Sequence, residues 1–404
     1  MWRCANAHRP NGVYPVRPLS FGVGRVRYFA PMLFSSIPGQ ADLKAHLIGA
    51  AREGRIAHAQ LFLGPRGSGN LALALAYARY LVCKVPGQAD ACGACSSCSM
   101  MDKLAHPDVH YSFPIFTNEK EKIRTSDDLV GEWRAAVLKE PLLDETEWYG
   151  VIEKEKAKGI IRVSETHNSL RKLSFKSSQG GLRVLLIWYA ERMNIEAANA
   201  LLKGLEEPEP GTVYLLVSEH QDLMLPTILS RTQLVKVPAF TPADVTAELM
   251  LRSGLSQSEA QSIAARCEGD LLEAKAMVER TEDELFIFFR DWLRACYGRK
   301  VVETVQFSEY FASLGREQQK ALMRYALFLI RQCVYHWQQA PNLIRAMGQE
   351  LEFVGKFGAL LNDRNAGGIR QELELAHAHL DRNANPKVLF MDLSYKLFGL
   401  LKAA

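Results

Sequence analysis

The sequence predicts an α/β nucleotide-binding-type domain carrying a metal module, followed by a small helical domain and a larger all-helical one. Three observations carry that reading. A short apolar run at residues 60–63 leads into a glycine-rich turn and then an alanine- and leucine-rich helix over 71–82. Further apolar runs at 183–188, 212–217 and 234–237 alternate with helical periodicity. Beyond Pro238 only helical periodicity remains. Short buried strands alternating with helices make a parallel sheet covered on both faces.

The elements follow in order. A turn at Ile37-Pro38-Gly39-Gln40 opens an amphipathic helix that runs to Ala51. The strand, glycine loop and helix over 60–82 begin a nucleotide-binding unit. A charged, weakly periodic stretch over about 112–158 is too long for an ordinary loop and reads as an insertion with some helix of its own. Helices are expected over 161–173 and 196–205. Short helices separated by Ser253-Gly254 and Glu268-Gly269-Asp270 fill 241–279, and helices interrupted near Gly298, Pro341 and Gly367-Gly368 fill the rest. The expected boundaries are 32–238 for the α/β domain, with the metal module at 83–108, 239–282 for the small helical domain and 283–404 for the larger one.

A chain of 404 residues is long enough for two or three domains, and 48% hydrophobic with 23% charged residues is ordinary globular composition. No run of roughly 20 uncharged apolar residues occurs, so no membrane span is expected. Five arginines (Arg3, Arg9, Arg17, Arg25 and Arg27) precede Pro31 with no acidic residue among them; removing those five takes the formal charge from +4 to −1. A strongly basic nucleic-acid binder is not indicated, and any DNA contact would belong to an assembly. The arginine-rich, aperiodic residues 1–31 suit a transit-like segment, a flexible tail, or translation from a start upstream of a true beginning at Met32. They lack the apolar core of a secretory signal, and the expected location is the cytoplasm.

The segment Gly64-Pro65-Arg66-Gly67-Ser68-Gly69-Asn70-Leu71 has the glycine spacing of a phosphate loop, GxxxxGK[ST]. Glycines at Gly64, Gly67 and Gly69 let backbone amides wrap phosphate oxygens. Asn70 stands where the lysine belongs and Leu71 where a hydroxyl would bind Mg²⁺. Losing the lysine removes charge-assisted contacts worth roughly 1.5–3 kcal/mol each. ATP or ADP could be held weakly by the backbone alone, and hydrolysis is not expected. The second strand tests this independently. In working enzymes it ends in Asp-Glu, the Asp serving Mg²⁺ and the Glu polarising the attacking water. Here it ends in Trp188-Tyr189, and Glu191 lies two residues past the base position. A glycine turn with no ligand would explain the loop by itself. Two degraded motifs in their proper order are better explained by descent from an ATPase.

Of eight cysteines, Cys4, Cys267, Cys296 and Cys333 are isolated. Cys83, Cys92, Cys95 and Cys98 form C-x8-C-x2-C-x2-C, a spacing that can close a four-thiolate Zn²⁺ site with no open position, hence structural. Iron–sulfur ligation and disulfide pairing are the rivals. His106 is a spare candidate ligand, more often a surface or capping residue in such a setting.

A phosphate-like loop, this cysteine pattern at the end of its helix, and then His106-Pro107-Asp108 together resemble the gamma/tau and delta-prime subunits of bacterial DNA polymerase III clamp loaders, members of the AAA+ class. The resemblance continues through the stretch from Ala198 to Pro208 (ANALLKGLEEP) and Ser230-Arg231-Thr232, where the family has Ser-Arg-Cys. It covers residues 33 to about 280, and Asn383-Ala384-Asn385-Pro386-Lys387 resembles the last helix of the family's oligomerisation collar. The degenerate site favours delta-prime over gamma/tau; so do Leu271 and Leu272, which stand where a second sensor arginine is expected. The departures are Thr232 and the long insertion, which resembles those in delta-prime-like proteins of Bacteroidetes-type bacteria.

The resemblance implies a non-hydrolysing subunit that assembles with gamma/tau and delta, helps open the sliding clamp, and meets primer–template DNA indirectly. It also implies that Arg231, with Ser230 beside it, reaches the ATP of a neighbouring subunit as an arginine finger. Taken alone, Arg231 reads as a surface arginine at a strand entrance. Two other functions remain open in the sequence: an active gamma/tau-type ATPase and a zinc-dependent scaffold outside replication.

Overall fold

The computed structural model describes residues 32–118, 123–153, 159–279, 282–346, 348–382 and 384–401. The arginine-rich residues 1–31, part of the expected insertion and Asn383 lie outside them. The first part of the chain runs α1 (Ala41–Arg52), β1 (Ala59–Leu63), α2 (Asn70–Val82), α3 (Ser96–Met101), β2 (Val109–Ser112), α4 (Val130–Lys139), α5 (Glu145–Val151), α6 (Val163–Leu173), β3 (Arg183–Trp188), α7 (Ile195–Glu206), β4 (Thr212–Ser218), α8 (Pro226–Leu229) and β5 (Gln233–Lys236). The strands form one sheet of order β2-β3-β4-β1-β5, and every pairing is parallel.

Successive strand residues point to opposite faces, and the sheet's two cores follow that alternation. Val184, Leu186 and Trp188 of β3 join Phe62, Leu215 and Val217 in a core with α2. Leu185 and Ile187 join Leu61 and Leu216 in a second core with Leu173 of α6 and Leu201 and Leu205 of α7. Helix α2 is buried along nearly its whole length, which is why it is built almost entirely of alanine, leucine and tyrosine. Its one charged residue, Arg79, is 1% exposed and ion-paired to Asp102 at the end of α3.

The expected insertion contains α4 and α5 and is part of the main core. Phe113, Trp133, Val137 and Trp148 are fully buried in the same cluster as α2. Trp133 stacks on Phe113 at 5.0 Å, and Trp188 of β3 lies 6.1 Å from Trp133.

After the sheet come α9 (Pro242–Ser253), α10 (Gln257–Arg266) and α11 (Leu271–Glu279). Val245, Leu249, Ile263 and Leu271 belong to the α2-side core rather than to a core of their own. The remaining helices are α12 (Glu282–Tyr297), α13 (Val301–Ser313), α14 (Arg316–Trp337), α15 (Gly348–Gly358), α16 (Ala366–Asp381) and α17 (Pro386–Leu400). They enclose a separate core around Phe289, Trp292, Phe311 and Phe390. Asn385 caps α17 by accepting from the Lys387 and Val388 amides. No helix among the described residues is long and apolar enough to cross a membrane.

Candidate functional site

The glycine loop connects the end of β1 to the start of α2, at the carboxyl edge of the sheet where open parallel sheets hold ligands. Gly67 and Gly69 take φ values of +69° and +79°, which glycine adopts without strain. The loop is covered by protein. Gly67, Ser68, Gly69 and Asn70 are all buried, Ser68 completely. A Cβ built on Gly69 would lie 3.1 Å from the Phe240 ring and 3.4 Å from Leu142, and one on Gly67 would collide with Asp270. Gln40 donates to the Ser68 carbonyl at 2.8 Å, and the Leu271 amide donates to the Gly67 carbonyl at 3.3 Å.

Asn70 occupies the lysine position but turns inward. Its Nδ2 donates to the carbonyls of Gly64 and Ser218, each at 3.3 Å, and its Oδ1 accepts from the Leu71 amide. The side chain therefore ties the loop to the end of β4 instead of reaching towards a phosphate. Arg66, the loop's cation, donates to Asp144 at 2.7 Å and to Asp270 at 2.6 Å.

The acidic-pair position is filled in the same way. Trp188 is buried, and Tyr189 sits in the left-handed region at φ +54° with its ring inside the protein. The Tyr189 hydroxyl accepts from the Glu145 amide at 3.0 Å and donates to Glu219 at 2.9 Å. Glu191 accepts from the Glu219 and His220 amides through one carboxylate oxygen, so it closes the turn after β4. Burial raises the pKa of Glu191, and burial followed by the Asp144 and Glu140 charges brings Glu147 up to about 7. The expected sensor position carries Leu271 and Leu272, both buried.

The four clustered cysteines converge. Their sulfurs all lie within 4.8 Å of one another. The pairs Cys83–Cys95, Cys92–Cys98 and Cys83–Cys98 are 4.0, 3.9 and 3.7 Å apart. Tetrahedral ligation at about 2.3 Å per sulfur places sulfurs about 3.8 Å apart, so this donor set fits one ion. All four are free thiols. The Cys92 and Cys95 amides donate to the sulfurs of Cys83 and Cys92 at 3.3 Å each, holding those sulfurs in the cluster. His106 is not in the cluster. It is 3% exposed, its Nε2 bonds Ser97 at 3.2 Å, and its Nδ1 accepts from the Asp108 amide. It packs behind the cysteine turn as a buried brace; the sequence suggested a spare ligand or a surface or capping residue, and the contact to the Asp108 amide is of the capping kind, from a buried position. Asp108 in turn holds the loop before β3 through Ser177, Ser178 and Gln179.

Arg231 lies away from both sites, after α8. Its side chain is 36% exposed, pairs with Glu206 at 2.5 Å, and bonds the Thr227 carbonyl and the Ser230 hydroxyl. Thr232 returns its hydroxyl to the Ile228 carbonyl.

The strand order, the glycine loop between β1 and α2 and the helices that follow define an AAA+ domain, here with the loop closed over by its own chain. A family profile described as "DNA polymerase III, delta subunit" matches residues 39–241, half of the chain, and the chain belongs to that family. It is 33% identical over 241 residues to the DNA polymerase III subunit delta' of Pseudomonas aeruginosa, covering 56% of this chain and 60% of that one. It is 28% identical over 188 residues to the Escherichia coli subunit delta', covering 46% and 44%. It is 28% identical over 206 residues to the Mycobacterium tuberculosis subunit gamma/tau, covering 51% and 28%. The matches thus span 60% or less of the length of these relatives.

Proposed function

We propose that this chain is a delta-prime-type clamp-loader subunit that neither binds nor hydrolyses ATP and that completes the site of a neighbouring gamma/tau subunit. The observation that carries this is the buried phosphate loop: Asn70 spends its amide on Gly64 and Ser218, and Tyr189 fills the place of the acidic pair. An ATPase of gamma/tau type would need a cation and a metal ligand where Asn70 and Leu71 stand.

The partners are gamma/tau and delta subunits, the sliding clamp, and primed DNA through the assembly, in the cytoplasm. Residues 32–238 form the core, 239–282 the lid and 283–404 the collar. A structural zinc held by Cys83, Cys92, Cys95 and Cys98 pins the module to the core. Arg231, presented on the surface with a carboxylate partner it can exchange, supplies charge to the transferred phosphoryl in trans.

The test is clamp-dependent ATPase of a reconstituted loader carrying Arg231→Ala. An arginine finger is worth roughly 10³–10⁵ in rate, so a fall of that order with the subunit still in the complex supports the role. Unchanged turnover removes it. Turnover by the isolated chain would overturn the non-hydrolysing reading.

A further inference from the structure

The segment from Glu140 to Glu147 crosses the carboxyl edge of the sheet, where a nucleotide would lie. Leu142 packs on Gly69 of the loop. Asp144 uses both oxygens: Oδ1 caps α5 at the Glu147 amide, 2.8 Å, and Oδ2 takes the Arg66 guanidinium. The Glu145 amide meets Tyr189 at the end of β3, and its carboxylate pairs with Arg192. Glu140 reaches the other way and holds the ammonium of Lys275 in α11 at 2.7 and 2.8 Å. The Lys275 side chain is only 7% exposed. Arg66 also grips Asp270 at the start of that helix.

We propose that residues 140–147 are a built-in occupant of the nucleotide cleft. Their carboxylates satisfy the cations of the loop and the lid as phosphates would, and so fasten α11 to the sheet with no bound ligand. This inference rests on the reading that the chain holds no nucleotide. A phosphate and a carboxylate offer the same acceptor chemistry to a guanidinium, and both oxygens of Asp144 are already committed. An entering triphosphate would have to displace Leu142 and break the Arg66–Asp144 pair.

Hydrogen exchange on the full chain tests it, with and without Mg·ATP, in wild type, in Glu140→Gln with Asp144→Asn, and in the charge swap Glu140→Lys with Lys275→Glu. Asparagine retains the helix cap, so the double variant removes charge and keeps the turn. The proposal expects amides of 271–279 to exchange about tenfold faster in the double variant, with α12–α17 unchanged and much of the protection restored in the swap. Unchanged exchange in a folded double variant, equal acceleration across all helices, or a swap no better protected than the neutral pair overturns it. Protection of residues 64–70 by ATP in the wild type would instead show that the no-nucleotide reading itself fails.

Discussion

The Tyr189 hydroxyl donates to Glu219 at 2.9 Å, joining the carboxyl ends of neighbouring strands β3 and β4. Burial is the largest influence on Glu219 and lifts its pKa to about 8; the charges of Glu191 and Asp144 push the same way, while the Tyr189 bond opposes them. An unfolded glutamate titrates near about 4.3. The folded chain therefore keeps a proton that the unfolded chain releases between those values. That contribution to stability is complete below the window and is lost as pH rises through about 8. Thermal melts of Glu219→Gln should show a shallower fall in Tm from pH of about 5 to about 8 than wild type. Parallel curves would remove Glu219 as the source.

Restoring the missing lysine should not restore the reaction. Asn70→Lys puts an ammonium among the Gly64 and Ser218 carbonyls while Leu71 and Tyr189 still exclude metal and water. We expect no turnover and a loss of roughly 1–3 kcal/mol from the disrupted hydrogen bonds, read by chemical denaturation. Measurable ATP hydrolysis would mean the cleft opens more readily than its packing implies.

The cysteine cluster should hold one zinc per chain by elemental analysis. Cys98→Ser removes a fully buried donor and should abolish stoichiometric metal. Exchange should then quicken over 83–108 first, because Arg79–Asp102 and the bonds from the Phe34 and Ser35 amides to Asp90 still anchor the module. Iron in place of zinc would change the assignment of the ion but not of its ligands.

Arg231→Ala should leave the fold nearly untouched. Its pair with Glu206 is substantially solvent-exposed, at 36% and 47%, and such pairs contribute about 0–1 kcal/mol. A Tm shift of several degrees in the isolated chain would show that the residue serves stability instead of a partner.

Much of this molecule was legible in its residues. The apolar runs mark β1, β3 and β4 to within a residue or so, because a strand buried on both faces is largely apolar, and the shorter run at 234–237 marks β5 although that edge strand is mostly exposed. Strand β2 was not legible. It is a four-residue edge strand with His110 in its middle, beside Pro107 and Asp108, and nothing in VHYS marks it as sheet. The cysteines declared themselves by spacing, while the bracing role of His106 depends on Ser97 folding back onto it. The degenerate loop was visible as Asn70 and Leu71, but its covering was not. Leu142, Phe240 and Asp270 come from distant stretches, and Asn70 meets Ser218 across 148 positions of sequence.

The nest of Phe113, Trp133, Trp148 and Trp188 carries a consequence for observation. Half of the six tryptophans of the chain sit there, shielded from water, with Trp133 and Trp188 6.1 Å apart and Trp148 joined to them through Phe113, while Trp292 lies in the core of the C-terminal helices. Indoles held this closely in a fixed chiral arrangement couple their electronic transitions. Undocking α4 and α5 would erase that near-ultraviolet couplet and redden the emission while leaving the helical signal of α12–α17 intact. The protein thus carries an intrinsic optical reporter of whether α4 and α5 are docked on the sheet.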